Sequence, residues 1–340
     1  MESTVSPATR LARVTDRPEH PSDAERPVPG PVMVIGGAED KLKDKVILSR
    51  FAKLAGGPDG HVVVISTASS LGDEATELYR ELFTRLGIAR VSGLRPVTRE
   101  EANDPAGAAV VEQATGIYLT GGNQLRLSSI VGGTRLSAAI TEAHARGAVV
   151  AGTSAGASAV TTHMVAYGAS GATPKHRMVQ ISAGLGLVRN VVVDQHFEQR
   201  TRLGRLLAVV AQSPSLIGLG LDEDTAAIIG PDETMEVIGR GAVTVVDGSQ
   251  VVTDAFQTKG HRPMMVSGAI LHSIPGGYRF DLRTRSLVAM EPDRDERRVQ
   301  ALKETAGRRL RRLSRQMAVE GADSLIVDRR RAREEREASE

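Results

Sequence analysis

Gly152-Thr153-Ser154-Ala155-Gly156 closes the apolar run Val149-Val150-Ala151 and opens onto a stretch rich in alanine. Glycines on both sides of a serine allow the tight strand-to-helix turn that lifts a hydroxyl clear of a sheet, the G-x-S-x-G elbow of serine nucleophiles. In that turn the amide of Ala155 faces the oxygen that becomes negative when a carbonyl is attacked. A second donor of this kind is expected from Gly122 in Gly121-Gly122-Asn123-Gln124, which ends another apolar run.

A serine nucleophile needs a base within hydrogen-bond reach. Eight histidines are available. His20, His61, His144, His176, His261 and His272 fall in tail, strand-entry, helix or turn contexts, and His163 is expected nine residues into the helix after Ser154. His196 differs: it follows Val191-Val192-Val193 and so falls at the carboxyl end of a strand, the edge at which parallel sheets place ligands. The acid that would orient it cannot lie shortly after the nucleophile, because no Asp or Glu occurs between Ala155 and Val193. Asp194, Glu198, Asp222, Glu223 and Asp224 remain, and Glu223 is favoured. Arg200, Arg202 and Arg205, together with Gln195, add a cluster of guanidiniums suited to gripping carboxylates bidentately.

Alternating strand and helix patterns would position these groups. Val32–Gly37, His61–Thr67, Ile117–Gly122 and Val149–Gly152 read as buried strands, and helical spacing follows each. Expected apolar faces are Leu42, Val46, Ile47 and Phe51 in the first helix, and Leu78, Leu82, Phe83 and Leu86 in the second. Thr98 and Glu101 have capping-box spacing, Asp104-Pro105 opens a further helix, and residues 134–147 form another. Beyond Val191 the pattern turns strand-like, with Asp247-Gly248 expected to close a hairpin between residues 243–246 and 249–255. The fold expected is α/β: three layers, with a mostly parallel central sheet flanked by helices and a β-rich C-terminal section. Residues 1–30 are expected to be a mobile extension, 31–285 the catalytic domain, and 286–340 a charged tail, helical or disordered.

Composition narrows the chemistry. The chain of 340 residues has no Cys, which removes thiolate nucleophiles, disulfides and thiolate metal sites. With 43 Lys and Arg against 41 Asp and Glu, no Trp and 3% aromatic residues, it offers neither the field nor the stacking surface of a nucleic-acid binder. No apolar run is long enough for a membrane span or a signal-peptide core, so a cytoplasmic protein is expected.

The segments Ile35-Gly-Gly-Ala-Glu-Asp-Lys41, Tyr118-Leu-Thr-Gly-Gly-Asn-Gln124, Gly152–Val160, Asp194–Leu206 and Gly218–Ala226, in that order, resemble the cyanophycinases. These are serine-type hydrolases of peptidase family S51, which includes aspartyl dipeptidase and has a fold similar to class I glutamine amidotransferases. The resemblance spans roughly residues 30 to 275. It implies Ser154 as nucleophile, His196 as base and Glu223 as the acid, with Gln124, Asp194, Gln195, Arg200, Arg202 and Arg205 holding substrate. It also implies cyanophycin as substrate, a poly-aspartate backbone with arginine on each side-chain carboxylate, released as β-aspartyl-arginine dipeptides. Short aspartyl or isoaspartyl peptides are the alternative. No metal or organic cofactor is implied, and a homodimer is.

Overall fold

The structure, a computed structural model, describes residues 27–288. The expected N-terminal extension lies outside them up to residue 26, as does the charged tail from 289 onward. Strands β1 (Val32–Ile35), β2 (His61–Ile65), β3 (Arg90–Leu94), β4 (Gly116–Leu119) and β5 (Val149–Thr153) form the parallel half of a nine-stranded sheet, in the order β1-β5-β4-β2-β3. Strands β1, β2, β4 and β5 are buried along their whole length and largely apolar because both faces are covered, whereas the edge strand β3 is only half-buried. Met33, Ile35, Val62, Val64 and Tyr118 pack against helices α1 (Val46–Leu54) and α2 (Asp73–Arg85). Val32, Val34, Val63, Ile65 and Ile117 face the other layer. That layer includes α3 (Arg99–Ala102), α4 (Pro105–Glu112), α5 (Gln124–Val131), α6 (Arg135–Ala145) and α7 (Ala155–Ala159).

After α7 the chain turns strand-rich. β6 (His163–Gly168) and β7 (Val179–Ala183) pair with each other, β8 is Val191–Gln195, helix α8 (Leu203–Gln212) follows, and β9 is Ile217–Leu221. β10 (Thr225–Ile229) extends the main sheet antiparallel to β1, and β11 (Thr234–Gly239) pairs antiparallel with β10. The remaining strands are β12 (Ala242–Asp247), β13 (Val252–Thr253), β14 (Val266–Ser267), β15 (Ile270–Pro275), β16 (Arg279–Asp281) and β17 (Ser286–Leu287). Of these, β16 and β17 close the edge of the main sheet. A second, four-stranded sheet, β15-β12-β9-β8, lies over the main one. Val191, Val193, Leu219 and Val245 join the main core, whereas Val192 and Val246 turn outward to Leu206, Val209 and Val210 of α8. The β-rich section thus both extends the main sheet, through β10, β11, β16 and β17, and supplies the second sheet that covers it.

Four local expectations are corrected. The first helix begins only at Val46, and Leu42 and Val46 are exposed, because the Asp40 carboxylate accepts the amides of Leu42, Lys43, Asp44 and Lys45 and winds that segment around itself. These four backbone donors, led by Lys43, hold its pKa far below the usual carboxylate range. In α2 the inward residue is Tyr79, not Leu78, with Ala75, Leu82 and Phe83 beside it; the Tyr79 hydroxyl is drawn inside by a 2.5 Å hydrogen bond to Glu39. The helix after Ser154 stops at Ala159, where Thr161 donates its hydroxyl to the carbonyls of Ser158 and His163 and releases the chain into β6. His163 therefore opens a strand and is exposed. Finally, β12 pairs with β15 rather than with residues 249–255. Asp247 captures the amide and hydroxyl of Ser249, turning the chain out of the sheet, and Val252–Thr253 pairs with Val266–Ser267 instead.

The capping expectations match the structure. Thr98 accepts from the Glu101 amide and Asp104 from Ala106, each opening its helix. Among the described residues, no helix is long and apolar enough to cross a membrane.

Candidate active site

Ser154 stands at the turn from β5 to α7 with φ 50° and ψ −108°, a conformation few side-chain-bearing residues adopt. The glycines around it are required by space. A Cβ on Gly152 would lie 2.3 Å from the backbone of Gly156, and one on Gly156 would lie 2.4 Å from the carbonyl oxygen of Leu119. The Ser154 Oγ is 2.8 Å from His196 Nε2, and His196 Nδ1 is 2.7 Å from Glu223 Oε1.

The three residues come from different places. Ser154 ends a strand of the main sheet, His196 follows β8 of the second sheet, and Glu223 lies in the turn by which the chain passes from β9 into β10. Like Ser154, His196 (φ 48°) and Asp224 (φ 52°) are held in the left-handed region. Such residues cost on the order of 1–3 kcal/mol each and persist only where surrounding structure over-determines them. The His196 ring rests on Gly37, where a Cβ would meet the ring carbon Cε1 at 2.4 Å.

The other acids left open by the sequence have different partners. Asp222 accepts the amides of Glu198 and Ala242, and Asp224 accepts that of Asp40. Asp194 is fully buried and paired with Arg205 and Arg202. Glu223 itself is held from behind, its amide donating to Gln199 Oε1 at 3.0 Å.

Ser154 opens onto a cavity of about 590 Å³, which Gly122, Gln124, Tyr167 and Gln195 line together with Arg200, Arg202 and Arg205. Arg202 and Arg205 are buried. Arg205 donates through Nε to Asp194 Oδ2 at 2.5 Å, and Arg202 donates to Asp194 and to the carbonyl of Gln195. Burial pushes the Arg202 pKa down to about 10, with Asp194 opposing this and Arg205 and Arg200 adding to it, so the guanidinium stays charged at neutral pH. Arg200 is exposed and makes no ion pair among the described residues. Three cations over one buried carboxylate leave the cavity positive, and the Arg202 Nε, buried without a partner, retains capacity to donate. Asp194 does not line the cavity; it anchors two of the arginines that do. Gln124 is half committed, donating to the carbonyls of Val165 and Ala166.

Above the hydroxyl, Ala155 is the first residue of α7, so its amide has no intrahelical acceptor. Gly122 (φ 140°) lies in the neighbouring turn, and a Cβ on Gly121 would come within 3.3 Å of the Ser154 Cβ. Gly122 and Ser154 line the same cavity, and Ala155 follows Ser154 directly in the chain.

Sequence reasoning assigned no individual role to Gly37, Gln199 or Tyr167. The two glycines after β1 were visible only as a strand end. Tyr167 belongs to no recognisable motif, yet it is 58% exposed at the cavity rim.

A strained serine at the carboxyl end of a parallel strand, hydrogen-bonded through histidine to glutamate, defines the class of serine hydrolases on an α/β scaffold. The chain matches peptidase family S51 over residues 32–238. Relatives include a cyanophycinase of Geminocystis herdmanii, 38% identical over 260 residues that make up 76% of this chain and 96% of the relative. Another, a cyanophycinase of Trichormus variabilis, is 38% identical over 76% of this chain and 87% of the relative. A crystal structure of a peptidase from an acI-B1 actinobacterium has the same fold, with a TM-score of 0.57 at 23% identity, covering 76% of this chain and 99% of that one. The chain belongs to peptidase family S51 and is a peptidase.

Proposed function

We propose that the protein is a serine-type exopeptidase that hydrolyses cyanophycin to β-aspartyl-arginine dipeptides. Ser154 Oγ attacks the peptide carbonyl while His196 Nε2 takes the hydroxyl proton, and Glu223 holds the opposite ring nitrogen. The amides of Ala155 and Gly122 receive the oxyanion. Collapse of the tetrahedral intermediate expels the leaving amine, protonated by His196, and leaves an ester on Ser154 that water cleaves by the same route in reverse.

The observation that supports this reading most is the cation-lined cavity beside the Ser154–His196–Glu223 row. A branched polymer of aspartate and arginine presents an arginine carboxylate beside each side-chain amide, and Arg200, Arg202 and Arg205 are suited to grip it, with Gln124 and Gln195 completing the polar wall. Asp194 acts from beneath by keeping Arg202 and Arg205 in place. The same reading carries a cytoplasmic enzyme working as a homodimer, which sedimentation of the purified protein would check.

The test is incubation with purified cyanophycin and chromatography of the products. Release of β-aspartyl-arginine is expected. Cleavage of short aspartyl or isoaspartyl peptides with the polymer untouched would replace this substrate by the shorter class.

A pH dependence also follows. Burial holds the His196 pKa below its ordinary 6.5; the Glu223 hydrogen bond raises it, and the charges of Arg200 and Arg202 lower it again. A depressed pKa keeps the ring neutral, and so able to accept a proton, to lower pH than usual. The acidic limb of kcat/KM is therefore expected below pH 6.5, and Arg200→Gln should move it upward. A limb at or above 6.5 in the wild type would contradict this.

A further inference from the structure

The end of β1 and the segment after it touch the three turns that carry Ser154, His196 and Glu223. The carbonyl of Ile35 accepts the amide of Ser154, that of Gly36 the amide of His196, and that of Gly37 the amide of Asp224, next to Glu223, each at 2.9 Å. Three consecutive carbonyls thus fix the backbones of three turns drawn from two sheets. The Asp40 amide adds a fourth tie, to Asp224 Oδ1 at 2.8 Å. The close approach depends on glycine, since a Cβ on Gly36 would lie 2.0 Å from the Asp222 carbonyl oxygen.

Between those ties sits Glu39, 3% exposed. Its Oε1 accepts from Tyr79 at 2.5 Å, Lys41 at 2.8 Å and Tyr118 at 3.1 Å, and its Oε2 accepts from Thr153 Oγ1 at 2.6 Å. Thr153 is the residue immediately before Ser154. Burial alone would neutralise the carboxyl, but the charge of Lys41 and the hydrogen bonds from Lys41, Thr153 and Tyr79 hold its pKa below the usual value. Its four partners come from the loop itself, α2, β4 and the last residue of β5. A buried charge with so many donors from separate elements locks the segment to the base of the elbow, and removing one partner of such a network is costly.

We infer that Glu39 is a positioning residue for the hydrolytic reaction, acting through Thr153 and the Ile35–Gly37 carbonyls to hold Ser154 in line with His196 and Glu223. The inference rests on the reading of Ser154 as nucleophile. Glutamine has one acceptor oxygen where Glu39 uses two, so Glu39→Gln sets an amide N–H against either the Thr153 hydroxyl or the Lys41 and tyrosine donors.

The test compares wild type with Glu39→Gln, Thr153→Val and Thr153→Ser. It measures labelling of Ser154 by a fluorophosphonate, kcat and KM on the cleaved peptide, and thermal melting. Glu39→Gln and Thr153→Val are expected to lower both the labelling rate and kcat by about ten- to a hundredfold with KM within a factor of two. Thr153→Ser, which keeps the hydroxyl, should stay near wild type. Thr153→Val disturbs a single hydrogen bond, so it carries the test if Glu39→Gln folds poorly. Folded Thr153→Val with wild-type labelling and kcat would overturn the inference, leaving Glu39 a structural charge. A wild type that hydrolyses peptide but is not labelled at Ser154 would remove instead the reading beneath it, and the inference with it.

Discussion

Ser154→Ala is expected to reduce peptide hydrolysis to background, a loss of roughly six orders of magnitude in turnover, while the protein stays folded. The size follows from what the hydroxyl would do: without it no acyl-enzyme forms, and His196 and the two amides have no attacking oxygen to act on. The fold should tolerate the change because Ser154 makes no side-chain cap to α7, and the atom removed is bonded only to the His196 ring. Alanine also has a Cβ like serine, so the left-handed turn is no more strained than before. Ser158, four residues on, offers no substitute, since its hydroxyl is fully buried and donates to Val193 and Gln195. Product release by chromatography and melting by circular dichroism check both halves. Turnover above about 1% of wild type from the folded variant would reject Ser154 as nucleophile.

Glu223→Gln should cost about three to four orders of magnitude in kcat with little change in stability. Its carboxylate accepts from His196 Nδ1, which leaves Nε2 free to take the serine proton; a glutamine can present an amide N–H there and select the wrong tautomer. Because the Glu223 side chain is 38% exposed, breaking the contact leaves no uncompensated buried charge. Asp194→Asn provides the contrast. Asp194 is fully buried between Arg202 and Arg205, and losing its charge should destabilise the fold by about 3–5 kcal/mol. The protein that remains folded should show a raised KM more than a lowered kcat, because the cavity arginines lose their anchor. Asp194→Asn with a kcat as low as that of Glu223→Gln and an unchanged melting temperature would reverse the assignment of the two acids.

The sequence could show the elbow because its signal is local. A strand that needs apolar residues on both faces, glycines where an added Cβ would lie within 2.4 Å of neighbouring backbone, and small residues opening a helix are all contiguous in residues 149–160. Capping at Thr98 and Asp104 was legible for the same reason, since the cap and the amide it serves lie two or three residues apart. Errors arose where a side chain answered to something distant. Tyr79 displaced Leu78 from the core because Glu39, forty residues away, offered its hydroxyl an acceptor. The hairpin at Asp247 failed because β15, beyond a 22-residue excursion, provided a better-matched edge.

What the sequence by itself determined is four of the five parallel strands, the serine turn and the supply of histidine, acid and arginine around it, because each follows from short-range periodicity, steric allowance or charge; the edge strand β3, Arg90-Val-Ser-Gly-Leu94, lacks the apolar run that marks the others. What only the tertiary structure decided is which groups meet. His196 reaches Ser154 across 42 residues and from another sheet, Glu223 reaches His196 from the strand-to-strand turn, and Asp194 is withdrawn beneath Arg202 and Arg205. Sequence spacing carries no information on such meetings. They are set by how two twisted sheets pack and by three successive carbonyls of the Ile35–Gly37 segment that tie their turns together.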